Sequence, residues 1–286
     1  MNEAIESLIA RYRPKSKEDY ENAIKEILQE LMLLGLDRAG FFERAAFYGG
    51  TALRIFYGLD RFSEDLDFTL LRPDKKFQLD KYFSSLKQEL AAYNFDVELN
   101  RVEKSEDRLT ESAFMKTSTQ LVFLQINNAK SLATKIPHNQ KIKIKFEIDI
   151  LPATTFQTEI KTLFLPSPFT VNVLKQESLF AGKMHAALLR QWKDRIKGRD
   201  FYDVQWYLAR KIPLDKKYLE EKMRQSKAIN KPLTKMILID HFIQRVEAID
   251  WENAKKDIFP FIKDKTQLNL WSASFFKDLI AKIELI

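Results

Sequence analysis

Apolar and polar positions follow two different periods in the two parts of this chain. Up to about residue 174, helical spacing is mixed with alternation of the kind that strands show. The clearest case is 141–150, where every even position is apolar and every odd position is charged. From residue 175 onward only helical spacing recurs. The pattern predicts an α+β domain over 1–174 and a helical domain over 175–286.

The same spacing predicts the individual elements. Gly35 is expected to end the second helix, because glycine often follows a helix C-terminus. A charged loop is expected over 103–110. Helices are expected over 3–13, 17–34, 37–44, 51–57, 80–93, 176–192, 199–208, 216–225, 232–248, 251–259 and 273–285. Strands are expected over 45–48, 65–71, 95–102, 113–127, 141–150, 158–165 and 169–173.

Two adjacent glycines stand where the strand 45–48 is expected to turn into a helix. Gly49 and Gly50 are adjacent although the whole chain has only seven glycines. Glycines at such a turn let the backbone approach an anion closely, and the N–H groups at the start of the helix favour negative charge. Thr51 could add a hydroxyl to a phosphate oxygen. A plain tight turn is the simpler explanation of an isolated Gly-Gly pair.

A pair of carboxylates follows shortly afterwards. Asp65 and Asp67, introduced by Ser63, lie two positions apart and therefore share one face of the predicted strand. Carboxylates held so close repel each other unless a cation lies between them, and oxygen ligands suit Mg²⁺. An isolated Asp-x-Asp is usually solvated, but here apolar residues occupy the alternate positions. The motif is therefore a candidate metal site.

The strand 141–150 supplies a further acidic pair. Glu147 and Asp149 share its charged face with three lysines. Two-metal phosphoryl or nucleotidyl transfer needs carboxylates that converge from neighbouring strands. One of these two acids could complete a site with the aspartates at 65 and 67. The spacing agrees equally well with acids that only neutralise the lysines.

A basic stretch begins the helical part of the chain. Six basic residues and two acidic ones lie between positions 183 and 200. Lys183 and Arg190 are seven positions apart, so they share a helix face that could reach a triphosphate or an RNA backbone. Asp200 and Asp203 lie three apart on the next predicted helix. For the other lysines of the stretch, a solvated surface is the simpler explanation.

Composition narrows the function classes. The net charge of +7 favours polyanionic partners such as nucleic acid or nucleotides. The absence of cysteine excludes disulfides, zinc–thiolate sites and cysteine nucleophiles. Only three histidines are present, and His185 in mid-helix is better explained by packing or a hydrogen bond than by catalysis. No signal peptide and no apolar run of about 20 residues is visible, so a cytoplasmic protein without membrane contact is expected.

These motifs, in this order, resemble the AbiEii/AbiGii-type nucleotidyltransferase toxins of bacterial toxin–antitoxin and phage-defence systems. The resemblance implies a DNA polymerase β-like fold, a mixed sheet flanked by helices, with a helical C-terminal domain that contributes to the active-site cleft. The matching blocks are 49–54, 57–68, 145–149, 179–186 and 197–203.

The resemblance also implies roles for the acidic residues. Asp65 and Asp67 become ligands of Mg²⁺ or Mn²⁺, with Glu147 or Asp149 as the third acid. We assign Glu147 as the third metal ligand and keep Asp149 as a catalytic candidate. Asp200 corresponds to the acid of the family's later motif.

The remaining matched residues would bind the NTP substrate. Lys183 would contact the nucleotide phosphates. Gly49, Gly50, Thr51 and Ser63 would form the nucleotide-binding turn. Thr51 stands where the superfamily usually has serine, so the hydroxyl is retained.

The activity implied by the resemblance is transfer of NMP from an NTP to RNA, at the 3′ end of tRNA, by a toxin with a cognate antitoxin protein. One alternative is a kinase-like phosphotransferase that acts on a protein such as the antitoxin. Another is a nucleic-acid-binding module without catalysis. Transfer of label from α- or γ-labelled NTP distinguishes nucleotidyl transfer from the kinase-like reaction. A purified protein that bound tRNA but neither a divalent metal nor NTP would be the binding module.

Overall fold

A computed structural model describes residues 3–102, 110–126, 129–190 and 196–286, and within these the chain divides into two compact units. We call them the sheet unit and the helical unit. The sheet unit comprises 1–47, 64–152 and 160–173. The helical unit comprises 48–63, 153–159 and 174–286. Two short segments that precede residue 174, namely 48–63 and 153–159, thus belong with the C-terminal helices.

The strands of the described residues form a seven-stranded mixed sheet in the order β3-β4-β5-β2-β1-β7-β6. Their bounds are β1 Ala45–Tyr48, β2 Leu66–Leu70, β3 Glu98–Arg101, β4 Thr110–Ser118, β5 Lys141–Asp149, β6 Thr158–Leu163 and β7 Phe169–Leu174. β2 pairs parallel with β5, and β1 pairs parallel with β7. β4 runs antiparallel to both β3 and β5. The central strands β5, β2 and β1 are therefore covered on both edges.

The helices have the following bounds: α1 Glu3–Ala10, α2 Lys17–Arg38, α3 Gly49–Tyr57, α4 Phe83–Ala92, α5 Thr119–Gln125, α6 Lys130–Ala133, α7 Gln176–Leu189, α8 Gly198–Ala209, α9 Lys216–Gln225, α10 Lys235–Glu247, α11 Trp251–Ile258 and α12 Ala273–Ile280. Short 3₁₀ helices cover Phe41–Glu43, Leu79–Tyr82, Phe259–Phe261 and Thr266–Leu270. No helix among the described residues is long and apolar enough to cross a membrane.

The core of the sheet unit follows from the alternation seen in the sequence. The apolar positions of β5 are buried and its charged positions are not. Phe146 packs against Phe68 of β2, with ring centroids 4.9 Å apart, and Phe68 packs against Phe47 of β1 at 5.0 Å. This aromatic row ties three neighbouring strands together on one face, and such contacts add to the burial of the rings.

Gly35 does not end the second helix. It lies inside α2, which continues to Arg38. A methyl group built at Gly35 would lie 3.2 Å from the Cβ of Glu89 and 3.4 Å from the Cα of Leu86, both in α4. The glycine therefore allows α2 and α4 to pack closely, and this tertiary contact outweighs its low helix propensity.

The expectation of one long strand over 113–127 is wrong in its second half. β4 ends at Ser118, whose side chain caps α5 by accepting a hydrogen bond from the N–H of Leu121. Val122 and Phe123 of this helix are buried. The Thr- and Val-rich composition favours a strand, but the serine cap and the packing of one face decide for a helix. Asn127, the predicted end of that strand, lies outside the described residues, as do 103–109 of the predicted loop.

The helical unit has an aromatic core of its own. Phe276 of α12 stacks on Trp251 of α11, with ring centroids 4.6 Å apart, and Phe201 of α8 packs edge-on against both. The predicted helices of this part are confirmed with shifts of a few residues at their ends, and 191–192 lie outside the described residues. The last five residues of the predicted helix 273–285 are not helical, because α12 ends at Ile280 and Leu285 forms a parallel β-bridge with Leu214. The α+β fold predicted from the sequence is confirmed.

Replacement of Gly198 should test the closest helix contact of this unit. A Cβ at this position, where α8 begins, would lie 1.9 Å from the carbonyl oxygen of Ala254 in α11. Backbone atoms cannot move aside cheaply, so Gly198→Ala should lower the free energy of unfolding by about 2 kcal/mol or more. Urea unfolding followed by circular dichroism measures this loss.

Gly182→Ala is the matched control, because a methyl group there meets nothing within 4 Å in the middle of α7. Its expected effect is neutral or stabilising, by up to about 1 kcal/mol, since alanine has the higher helix propensity. Equal stability of the two variants would contradict the packing argument.

Candidate active site

The residues that the sequence singled out divide between the two units. The sheet unit holds the acids Asp65, Asp67, Glu147 and Asp149. The helical unit holds the remaining candidates, which are Gly49, Gly50, Thr51, Ser63, Lys183 and Asp200.

The register of the sheet brings one acid from each motif together. Asp67 of β2 is the direct partner of Glu147 of β5. Neighbouring strands lie about 4.8 Å apart, so these two half-buried side chains leave the same face of the sheet side by side. Asp65 stands immediately before the first residue of β2. The predicted meeting of an Asp-x-Asp acid with an acid of the 141–150 strand is thus present in the backbone pairing.

Glu147 is also held from its other side. Ser112 of β4 is its register partner on that side, and the Ser112 hydroxyl donates a hydrogen bond of 3.1 Å to Glu147 Oε1. Lys145 Nζ lies 2.7 Å from the same oxygen. Asp67, Glu147 and Ser112 therefore form a row across three strands. The hydrogen bond and the ion pair fix the orientation of the glutamate carboxylate.

Asp149 has different neighbours. Its register partners are Thr69 of β2 and Thr110 of β4, so no acid stands opposite it on either side. Its Oδ1 accepts a hydrogen bond of 3.1 Å from the N–H of Leu151, just after the strand. This contact turns the carboxylate toward the end of its own strand. The geometry favours Glu147 over Asp149 as the acid that works with Asp67.

A divalent cation fits this donor set in one particular way. Within the described ranges, no three Asp, Glu or His side chains are grouped closely enough to enclose a metal ion. Mg²⁺ is commonly held by one or two carboxylates and completes its octahedron with water and substrate phosphate oxygens. Asp67 and Glu147, with Asp65 two residues earlier in the chain, supply carboxylates of that kind. The residues present therefore fit a cation that is shared with a substrate.

The glycine pair lies at the start of α3 in the helical unit. Gly49 has a φ of +85°, a conformation that side chains disfavour, and it is the first residue of the helix. Thr51 in the first turn is fully buried. Its N-cap residue, Tyr48, makes no side-chain capping hydrogen bond, and the N-terminus of a helix favours an anion.

A network of charges around two buried carboxylates joins α7 to α8 in the helical unit. Lys183 Nζ of α7 lies 2.8 Å from Asp203 Oδ2 and 3.4 Å from Asp200 Oδ1, both on α8. Arg190 Nη1, seven residues after the lysine, lies 2.8 Å from Asp200 Oδ2. The two carboxylates face the α7 side chains because they are three positions apart on one helix. Asp200 thus bridges the lysine and the arginine.

Arg61 completes this network, and the sequence did not single it out. Its Nε and Nη2 lie 2.6 and 2.7 Å from the two carboxylate oxygens of Asp203. Only 2% of the Arg61 side chain is exposed, and none of the Asp203 side chain. Arg61 lies inside the matching block 57–68, which is the one signal in the sequence that points to it, whereas the local hydropathy pattern carries no sign of its burial. Its partner lies 142 residues away in the chain.

The charge state of the pair follows from its surroundings. Burial acts to raise the pKa of Asp203, but the nearby charges of Arg61 and Lys183 and their hydrogen bonds lower it overall. Burial likewise acts to lower the pKa of Arg61, and the charge of Asp203 raises it overall. Both side chains are therefore ionised inside the protein, and each depends on the other for that state.

His185 is held by a hydrogen bond in the helical unit and is uncharged. Its Nε2 is hydrogen-bonded to Ser226 Oγ at 3.1 Å. Burial and the positive charges of Lys222 and Arg190 lower the pKa of His185 to about 4. The imidazole is therefore neutral near pH 7. This agrees with the sequence-based interpretation of a packing or hydrogen-bonding histidine.

The family to which the chain is matched defines the class of the protein, which is that of the nucleotidyltransferases. Residues 12–278 match the family model for nucleotidyl transferase AbiEii toxins of type IV toxin–antitoxin systems. The match spans far more than half of the chain, and the chain belongs to this family. The resemblance found in the motifs is confirmed, and with it a nucleotidyltransferase activity rather than a binding module.

Solved structures share the fold. MenT4, a nucleotidyltransferase toxin from Mycobacterium tuberculosis H37Rv, is similar with a TM-score of 0.59 and 16% identity, over 97% of this chain and 88% of that chain. A protein from H. pylori, provisionally described as a nucleotidyltransferase, is similar with a TM-score of 0.51 and 16% identity, over 93% of this chain and 95% of that chain. A search of the curated proteins returned no significant match.

The histidine environment predicts a pH dependence of stability. The pKa of His185 is about 4 in the folded protein against an ordinary value of 6.5. Between pH 7 and pH 5 the unfolded chain takes up a proton there that the folded protein does not, so acidification favours unfolding. Over this range His185→Gln should therefore lose about 1 kcal/mol less stability than wild type does.

Urea unfolding at pH 7, 6 and 5 measures the difference. His138→Gln, which alters an exposed histidine, is the control and should keep the wild-type profile. The same pH profile for wild type and His185→Gln would contradict the assignment.

Proposed function

We propose that this protein is a toxin that transfers NMP from an NTP to RNA, at the 3′ end of tRNA, with Mg²⁺ or Mn²⁺ as the cation. The observation that carries the proposal is the pairing of Asp67 with Glu147 on neighbouring parallel strands, with Asp65 two residues before. Nucleotidyltransferases use a divalent cation and an NTP, and the family supports that much directly.

The carboxylates would hold the cation at the reacting phosphate. Asp65, Asp67 and Glu147 are the proposed ligands, and the hydrogen bond from Ser112 orients the third of them. A bound cation would supply charge neutralisation and lower the pKa of the attacking hydroxyl. The three carboxylates would hold the cation at one face of the sheet.

The helical unit would bind the nucleotide phosphates. The N–H groups at the start of α3, reached through Gly49 and Gly50, are the proposed phosphate donors. Ser63 would add a hydroxyl, whereas the burial of Thr51 favours a contribution through its backbone alone. Lys183 would neutralise charge on the triphosphate, and Asp200 with Asp203 holds the lysine for this role.

A net charge of +7 supports an RNA acceptor. Basic side chains that neutralise phosphates make such binding weaken steeply with salt. As a member of a toxin–antitoxin family, the protein has an antitoxin as its functional counterpart. We propose that toxin and RNA meet in the cytoplasm.

The nature of the transferred group can be measured directly. Purified protein is incubated with total RNA and Mg²⁺ in the presence of α-labelled or γ-labelled NTP. We expect label from the α position in RNA of tRNA size, because the proposed reaction cleaves between the α- and β-phosphates. Each of the four NTPs is supplied alone to identify the substrate.

A soluble Asp65→Ala variant is the control for this assay. It should transfer no label and should not inhibit growth when expressed, while its circular dichroism matches wild type. Label from the γ position in protein would favour the kinase-like phosphotransferase instead. Retained toxicity of a folded Asp65→Ala variant would refute the role of the carboxylates.

The choice of the third acid has its own test. Glu147→Gln keeps the shape of the side chain but removes its charge opposite Asp67, so transfer should fall by roughly 100-fold or more, as is usual when charge stabilisation is lost. Asp149→Asn should keep most of the activity, because its register partners are threonines. Steady-state rates with α-labelled NTP measure both. The opposite order of effects would assign the role to Asp149.

A further inference from the structure

The loop 58–63 is held in the helical unit from several sides. The Arg54 guanidinium donates hydrogen bonds to the carbonyl oxygens of Leu59 and Arg61, at 3.3 and 3.1 Å. The N–H of Phe62 donates to the carbonyl of Phe261 at 2.8 Å. These contacts fix the backbone of the loop. They leave open why one of its two buried side chains, Leu59 and Arg61, is an arginine.

The end of that side chain lies against the glycine turn. A methyl group built at Gly50 would lie 2.6 Å from Arg61 Nη2 and 2.9 Å from Ser63 Oγ. Arg61 also donates from Nη1 to the carbonyl of Phe62 at 2.8 Å. The guanidinium and the serine hydroxyl therefore occupy the space that a side chain at position 50 would need.

The same guanidinium cannot move aside. An arginine head normally shifts at little cost when a methyl group approaches it. Here Asp203 binds it through two parallel hydrogen bonds, and both side chains are buried, so displacement would leave two buried charges poorly compensated. The contact with Gly50 is as rigid as the Arg61–Asp203 pair that holds it.

We propose that Arg61 is a positioning residue for nucleotide binding. Locked by Asp203, it fixes the Gly49–Thr51 turn and the Ser63 hydroxyl relative to one another. It is too deeply buried to reach a nucleotide, so it acts through these groups. The inference rests on the proposed role of the turn in binding phosphates, and it assigns the arginine a function in substrate affinity beyond that of a structural ion pair.

Two substitutions loosen the guanidinium without emptying the space. Arg61→Lys keeps the charge but loses the bidentate geometry, and Asp203→Asn keeps the shape but loses the charge. The Kd of the NTP that wild type binds most tightly, among ATP, GTP, CTP and UTP with Mg²⁺, is measured by titration calorimetry. Each variant should raise this Kd by about tenfold, a factor typical of one lost charge-assisted hydrogen bond.

A third substitution tests the contact itself. Gly50→Ala inserts a methyl group against the locked guanidinium and should raise the Kd at least as much. In the Arg61→Lys background the same substitution should cost about threefold or less, because a lysine amine can move away. This non-additivity separates positioning from general damage, and Gly50→Ala also keeps the proposal testable where Arg61→Lys does not fold.

Asp215→Asn is the matched control for the loss of a buried acid. Asp215 is buried in the helical unit, accepts a hydrogen bond of 2.7 Å from Ser178 and caps α9. Its replacement removes the charge that strengthens the hydrogen bond from Ser178, so it should lower the midpoint of thermal unfolding. The NTP Kd should stay within about twofold, since its partners, Ser178 and the first turn of α9, lie outside the turn 49–51.

The outcomes separate this inference from the proposed reaction. Unchanged NTP affinity in folded Arg61→Lys overturns the positioning role, and so does additivity of Gly50→Ala with Arg61→Lys. If Asp215→Asn raises the NTP Kd as much as Arg61→Lys does, loss of stability alone explains the weaker binding, and the positioning role is also overturned. If wild type binds NTP but labels no RNA, the proposed reaction fails, while the comparison of Kd values still decides the role of Arg61.

Discussion

The ion pair between Arg61 and Asp203 is the interaction on which the arrangement of the helical unit depends. Burying a guanidinium and a carboxylate costs several kcal/mol per ion, and only close, bidentate pairing offsets this. The pair therefore allows little freedom to the segment 58–63, which it joins to α8. Because Asp203 also binds Lys183, one carboxylate organises both the loop beside the glycine turn and the basic helix α7.

A different constraint governs the sheet unit. Hydrogen bonding between β2 and β5 sets a register, and a shift of one residue would turn every side chain of a strand to the other face. The buried aromatic and aliphatic residues on one face prevent such a shift. The acids on the other face, Asp67 and Glu147, owe their pairing to this apolar packing rather than to any attraction between themselves. The register therefore holds the two carboxylates side by side, as the proposed cation site requires.

Family membership and geometry answer different questions about function. The match over residues 12–278 identifies a nucleotidyltransferase toxin of a type IV toxin–antitoxin system. The geometry adds which residues have suitable neighbours for each role, and it favours Glu147 over Asp149 on physical grounds. It also distinguishes Thr51, whose side chain is buried, from Ser63, which lies beside the glycine turn.

Much of this could be predicted from the sequence, because local patterns record local physics. Alternation in 141–150 identified a half-buried strand, and the order of the glycine pair, Asp65, Asp67 and the later acids indicated the chemistry. The burial of Arg61 could not be predicted, since its partner is 142 residues away and a local pattern does not record such a contact. The same limit applies to Gly35 in α2, and to the choice between two acids on one strand face. Propensity and periodicity act over a few residues, whereas packing and register between distant segments arise only in the folded chain.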